Sequence, residues 1–152
     1  MRKSDQGKTV RLRMGLKAES RFDAIYPGEL YKPVGPSHMP DRYDPIRNIY
    51  FQLKIGEIEK KDKYPDTEVI QVESYQGALD MDDTGKSVNA SRPVWVLWEL
   101  PDKTWYGQRI HLLERKGVER APKPGHITRF YSIFNHNFVT LDKILEDQPD
   151  SQ

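Results

Sequence analysis

Three groups of residues have types and spacings that suit them to chemistry. The first is the acidic run Asp80-Met81-Asp82-Asp83-Thr84-Gly85. Carboxylates at alternate positions are hard oxygen ligands, so Asp80, Asp82 and Thr84 match the first, third and fifth positions of a calcium loop, with Gly85 at its sharp turn. The position that should carry a bidentate acid is Ser91, which removes the strongest ligand. The run therefore reads as an acidic surface loop, and no metal site is assigned. The second group is the four histidines, His38, His111, His126 and His136. None stands at the short spacing of a metal-binding pair. His111 and His136 remain the candidates for proton transfer. Together with Asp80, Asp82 and Asp83 they outline a small metal-dependent hydrolase or nuclease. The third group is aromatic and basic: Arg11, Arg13, Trp105, Arg109, His111, Lys116 and Arg129. Arginine beside tryptophan binds nucleic acid by stacking on bases and pairing with phosphates. The competing reading is packing, with tryptophan in the core and arginine stems covering it.

The spacing Asp80-x-Asp82-x-Thr84 also resembles the nucleophile motif of haloacid-dehalogenase-type phosphotransferases. That resemblance implies an aspartate following a buried parallel strand of an α/β sheet. Here Tyr75-Gln76-Gly77-Ala78 precedes it, and the pattern shows no alternating helices for such a fold.

The elements that must position these groups read mainly as strands. Residues 9–17 alternate, with Val10, Leu12, Met14 and Leu16 on one face and Arg11 and Arg13 on the other. Residues 26–45 hold five prolines and Tyr26, Tyr31 and Tyr43, which reads as a long loop. From residue 47 the alternation returns, with Ile49, Phe51, Leu53 and Ile55 against Tyr50, Gln52 and Lys54. Residues 67–75 are a third strand and residues 77–91 a polar loop. Residues 92–113 hold all three tryptophans and read as a β-hairpin about the Pro101-Asp102-Lys103 turn. Its parity places Trp98 in the core and sets Trp105 beside Arg109 and His111. A late strand spans residues 126–134, and Thr140 caps a short helix over 141–146.

These elements predict a mainly β (α+β) domain, a small antiparallel barrel or strongly bent sheet of five to six strands with one short C-terminal helix. Residues 1–7 are expected to be disordered, residues 8–146 to form the single domain, and 147–152 a polar tail.

The chain has 152 residues, 36% of them hydrophobic and 31% charged, with a mean hydropathy of −0.80. That suits one compact core with much exposed chain. The absence of cysteine excludes disulfides, thiolate metal sites and a cysteine nucleophile. No run suits a membrane span, and the chain reads as cytoplasmic. The net charge of +1 is unevenly spread, with +5 over residues 1–21, +4 over 109–129 and −5 over 57–103. Such asymmetry steers a polyanion to one face. The sequence therefore points to a non-enzymatic binding or accessory module that contacts nucleic acid or a nucleoprotein, with no cofactor. The alternatives are a protein-protein adaptor or inhibitor acting through residues 26–45 or the acidic region 57–83, and the small metal-dependent hydrolase or nuclease.

Overall fold

The structure is a computed structural model that describes residues 3–33, 40–56, 65–84, 93–121, 125 and 127–147. The side chains of residues 3–12, 83 and 84 lie outside that description. In chain order the elements are α1 (Lys3–Ile25), β1 (Arg42–Asp44), β2 (Ile49–Ile55), β3 (Thr67–Gln71), α2 (Val72–Thr84), β4 (Val94–Glu99) and β5 (Trp105–Arg109). A 3₁₀ turn (Ile110–Leu112), β6 (Glu114–Arg115), β7 (Phe130–Phe134), β8 (Val139–Thr140) and α3 (Leu141–Asp147) follow.

The apolar run of β2 lies inside the larger sheet, whose order is β1-β2-β4-β5-β8. Strand parity divides its side chains between two cores. Ile49, Phe51 and Leu53 join Leu97, Trp105, Phe22 of α1 and Leu141 and Ile144 of α3. Tyr50 joins Val94, Val96 and Trp98 on the opposite face, under Tyr75 and Ala78 of α2. Ile70 of β3 and Tyr131 and Ile133 of β7 complete that second core. They belong to a smaller sheet of order β3-β7-β6.

Phe22 anchors α1. Its ring meets Phe51 edge-on at 5.3 Å and Trp105 at 5.2 Å. Arg21, one residue earlier, donates two hydrogen bonds to the buried Glu99 at 2.6 and 2.8 Å. Helix and sheet are thus joined by both packing and charge.

The expected antiparallel barrel is not what forms. The described residues make eight strands in two sheets and three helices, with no closed barrel and no strong curl. Strands β2 and β4 run parallel, pairing Tyr50 with Val94 through Ile55 with Glu99. Parallel neighbours need a long crossover, and α2 lies in it. That helix occupies the stretch read as a strand end and a polar loop. Its three aspartates mask the helical period, yet Tyr75, Ala78 and Asp82 fall at the i, i+3, i+7 positions of one buried stripe. The first expected strand is likewise helical. Met14 and Leu16, placed on a buried face by alternation, are exposed in α1, and the helix packs instead through Ala18 and Phe22.

The hairpin of β4 and β5 does form, in the register Trp95 to Arg109 through Glu99 to Trp105. Its turn closes with Lys103 N–H on the Leu100 carbonyl at 2.8 Å. The second strand ends at Arg109, where the 3₁₀ turn begins. Gly107 faces Leu97 across it. A β-carbon there would stand 1.9 Å from the Val96 carbonyl oxygen and 2.9 Å from the Leu97 α-carbon, both backbone atoms that cannot swing away. Gly107→Ala is expected to destabilise the fold by about 3 kcal/mol or more, as overpacking against fixed backbone does. Chemical denaturation of the two proteins measures this, and an unchanged midpoint would contradict the close approach.

Candidate active site

Asp41 immediately precedes β1. The antiparallel register pairs Arg42 with Phe51, so one step back places Asp41 opposite Gln52. The Leu53 N–H donates to Asp41 Oδ2 at 2.8 Å and fixes the carboxylate against β2. Gln52 and Lys54 project from one face of that strand, and Gln52 is buried. Lys54 Nζ donates to Ser74 Oγ, in the first turn of α2, at 3.0 Å.

From the other side of the sheet edge, α1 contributes Glu19. Arg42 holds it with a 2.9 Å hydrogen bond from Nη1 to Glu19 Oε1. The same guanidinium donates to both oxygens of Asp23, at 2.8 and 3.0 Å, and to the Asp41 carbonyl at 2.7 Å. Arg42 therefore ties one turn of α1 to the start of β1. Glu19, Asp41, Gln52, Lys54 and Ser74 come together at the β1–β2 side of the sheet.

The electrostatics of this group are unbalanced. Burial raises the Glu19 carboxyl above the ordinary value, and the charge of Asp41 adds to it, against the opposing pull of Arg42 and Lys32. Burial also raises Asp41, although the Leu53 N–H, Lys54, Arg42 and Lys32 all favour its charged form. Burial pushes the Lys54 ammonium below the usual lysine value, with Asp41 and Glu19 opposing. All three shifts favour the neutral forms. Two carboxylates held near each other under desolvation, with a depressed lysine beside them, form an arrangement suited to catalysis more than to stability.

The donor set fits a hard divalent cation. Glu19 and Asp41 supply oxygen, Gln52 stands across from Asp41 in the strand register, and a cation between the carboxylates would supply the positive charge that their raised protonation lacks. Among the described residues no cluster of three histidine, cysteine, aspartate or glutamate side chains forms. Two carboxylates suit Mg²⁺, which keeps much of its shell for water and substrate phosphate oxygens.

The residues singled out from sequence lie elsewhere. Trp105 is 2% exposed and packs on Phe22, so it offers no stacking face. Arg11 and Arg13 fall on α1 and not on a strand, and the Arg11 side chain lies outside the described residues. Arg13 is exposed. Arg109 and His111 do meet, on the fully buried Asp82: Arg109 Nη2 lies 3.2 Å and His111 Nε2 3.3 Å from its Oδ1. The Val94 N–H donates to the other oxygen at 3.0 Å. Asp82 thus clamps the end of α2 to β4 and the 3₁₀ turn. Asp80 is exposed on α2 while Asp82 is buried, so the two aspartates of the calcium-loop and phosphotransferase patterns lie in a helix and face different ways, and Gly85 and Ser91 lie outside the described residues. His136 pairs with Glu114 at 2.7 Å, away from Asp82. Lys116 is 3.7 Å from Asp66, and Arg129 is exposed just before β7. His38, His126, the Asp83 side chain and the acidic stretch 57–64 lie outside the described residues. Tyr26 and Tyr43 of the proline-rich stretch turn inward, onto Asp44 and Asn48 respectively.

The fold is thus a mixed α+β sheet that carries two carboxylates and a lysine beside a central strand. A Holliday junction resolvase, Hjc of the archaeal hyperthermophile Archaeoglobus fulgidus, is similar to it with a TM-score of 0.55. The similarity covers 86% of this chain and 94% of that one, at 12% sequence identity, and is one of fold. No protein-family model and no curated protein matches the chain. These findings overturn the non-enzymatic binding module. The described residues form no barrel to present a binding face, and their fold is similar to that of a resolvase, which is an enzyme. Nothing in them supports the adaptor alternative. No helix among the described residues is long and apolar enough to cross a membrane.

Sequence reasoning missed Glu19, Asp41, Gln52 and Lys54. A signal was present in Ile49-Tyr50-Phe51-Gln52-Leu53-Lys54-Ile55. Both parities of that strand carry large apolar or aromatic residues, which marks a strand covered on both faces. Gln52 and Lys54 are then buried polar groups in need of partners.

Because the folded protein raises the Asp41 carboxyl, its protonated form stabilises the fold, and that contribution is lost as pH rises through the raised value. Asp41→Asn is therefore expected to melt higher than wild type at neutral pH. The difference should vanish as pH falls below the ordinary carboxylate value. Thermal melts between about pH 7 and about pH 3 test this, and a lower melting point for the variant at neutral pH would contradict it.

Proposed function

We propose that this chain is a metal-dependent nuclease that hydrolyses phosphodiester bonds in DNA. The observation that carries the reading is the convergence of Glu19, Asp41 and Lys54 beside β2, with pKa shifts that favour neutrality in all three. The resolvase-like fold supports it. Glu19 and Asp41 would hold the cation, with the Gln52 amide oxygen at hand. A divalent ion held there acts as a Lewis acid on phosphoryl oxygen and offsets charge that builds in the transition state.

The chain's own residues account for the rest. Arg42 fixes Glu19, and the Leu53 N–H fixes Asp41, so neither carboxylate needs to reorganise. Ser74 positions Lys54. The Lys54 ammonium donates to a non-bridging phosphate oxygen, where its charge offsets that of the phosphoryl group. In the net reaction the water oxygen forms a bond to phosphorus, the ester P–O bond breaks, and the departing alkoxide takes up a proton.

Incubation with labelled single-stranded, duplex and four-way-junction DNA, in Mg²⁺ and in EDTA, tests the reading. Cleavage of at least one substrate is expected in Mg²⁺ alone. Asp41→Asn and Lys54→Ala should each lower the rate about a hundredfold or more. Mg²⁺ should raise the melting temperature of wild type and not that of Asp41→Asn. Since Glu19 and Asp41 must be ionised to hold the cation and both are raised in the metal-free protein, activity at subsaturating Mg²⁺ should fall on acidification at a pH above the ordinary carboxylate range, and added Mg²⁺ should move that fall to lower pH. Wild type that leaves all three substrates intact, or undiminished cleavage by both variants, would refute the proposal.

A further inference from the structure

The connection between β6 and β7 projects an unusual surface. The two strands pair Glu114 with Phe134 and Arg115 with Ile133. The ladder continues with Lys116 N–H on the Ser132 carbonyl at 2.7 Å. It resumes at Arg120 and Phe130, which exchange hydrogen bonds at 3.0 and 2.9 Å. Residues 117–119 therefore stand opposite Tyr131 alone. This is a bulge with two extra residues, and Gly117 at φ +75° provides the left-handed turn it needs.

The bulge turns Val118 out to 85% exposure, and Ile127 on the returning chain is 94% exposed. Single exposed apolar residues are ordinary. These two share one arm with exposed Arg120 and Arg129, neither of which pairs with a carboxylate among the described residues. Residues 114–129 carry five basic and two acidic side chains. Apolar tips framed by uncompensated arginines match a nucleic-acid duplex, whose phosphates take the cations and whose groove admits apolar wedges.

The root of the arm also contacts the turn of α2 that carries Ser74. The Arg129 carbonyl accepts from Val72 N–H, the first residue of α2, at 3.0 Å. Two residues on, Ser74 accepts from Lys54. Arg115 lies over Tyr131 at 4.7 Å and Tyr75 at 5.7 Å, which braces the arm against the same turn.

We propose that this bulged β6–β7 arm seats the DNA duplex beside the catalytic group, with Arg120 and Arg129 on phosphates and Val118 and Ile127 in the groove. The inference rests on the nuclease reading for its setting, but binding by the arm is measured without cleavage.

The experiment is fluorescence anisotropy of the full chain with a labelled DNA duplex in EDTA, over a range of salt. The double variant Arg120→Glu/Arg129→Glu should bind about tenfold more weakly, with a salt slope reduced by about 2. Val118→Ser/Ile127→Ser should also weaken binding while leaving that slope unchanged. Because all four side chains are exposed, both double variants should melt like wild type. Unchanged affinity in both, or wild type that fails to bind duplex at low salt, overturns the arm. Wild type that binds through the arm but cleaves nothing in Mg²⁺ would sink the nuclease assignment and leave the arm standing.

Discussion

Strand β2 has no face left for water. It lies between β1 and β4, with Ile49, Phe51 and Leu53 buried against α1 and Tyr50 and Gln52 buried on the α2 side. An inward polar group on such a strand costs free energy unless it is paired. Gln52 and Lys54 are there nonetheless, and the surrounding architecture can be understood as what holds them. Ser74 must come from α2, Asp41 from the start of β1 and Glu19 from α1. Each of these elements is fixed to the sheet by contacts that do not involve the cluster itself. Phe22 and the Arg21–Glu99 pair secure α1, and the Arg42–Asp23 pair aligns it with β1.

The parallel pairing of β2 with β4 places α2 over the second core, and α2 in turn brings the smaller sheet into the same structure. Trp98 Nε1 donates to the Val69 carbonyl at 3.1 Å. The Tyr106 hydroxyl bonds to the buried Glu68 and receives Asn135 at 3.2 Å. These bonds satisfy polar atoms that burial would otherwise leave unpaired, and they lock the two sheets in register. The first turn of α2 therefore sits at a junction. It meets Lys54 through Ser74, the smaller sheet through Tyr75 and Tyr131, and the residue before β7 through Val72.

Much of the fold was legible wherever local pattern and tertiary burial agree. The β4–β5 hairpin, the face of Trp98, the alternation of β2 and the Thr140-capped C-terminal helix all follow from parity and turn chemistry. The errors share a cause. Over nine residues the Val10-Leu12-Met14-Leu16 alternation imitates a strand, but Met14 and Leu16 are exposed in α1, and the helix packs through Ala18 and Phe22 further on. In α2 the apolar stripe is short and closes on Asp82, a buried acid whose partners Arg109 and His111 come from elsewhere in the chain. No local reading supplies such partners. For the same reason Trp105 was assigned outward. Its parity with Arg109 is correct, but the face is covered by α1, which the sequence pattern had turned into a strand.

The molecule holds two charged clusters of similar composition, and physical chemistry separates their roles. Around Asp82, two cationic or neutral partners and a backbone N–H converge on one carboxylate, so its acceptor capacity is largely used. Removing any member would leave a buried group unpaired, which is the mark of a structural clamp. Around Glu19 and Asp41 the balance is reversed. Two carboxylates share one half-buried lysine and a guanidinium already committed to Asp23, and desolvation drives both acids and the lysine toward neutrality. A stable protein gains nothing from that arrangement unless a ligand completes it. The cluster that the sequence advertised, with histidine, arginine and aspartate in strong local signals, is the satisfied one. The Glu19–Asp41–Lys54 cluster consists of ordinary residues that only the fold brings together, and among the described residues desolvation outweighs the partners they have.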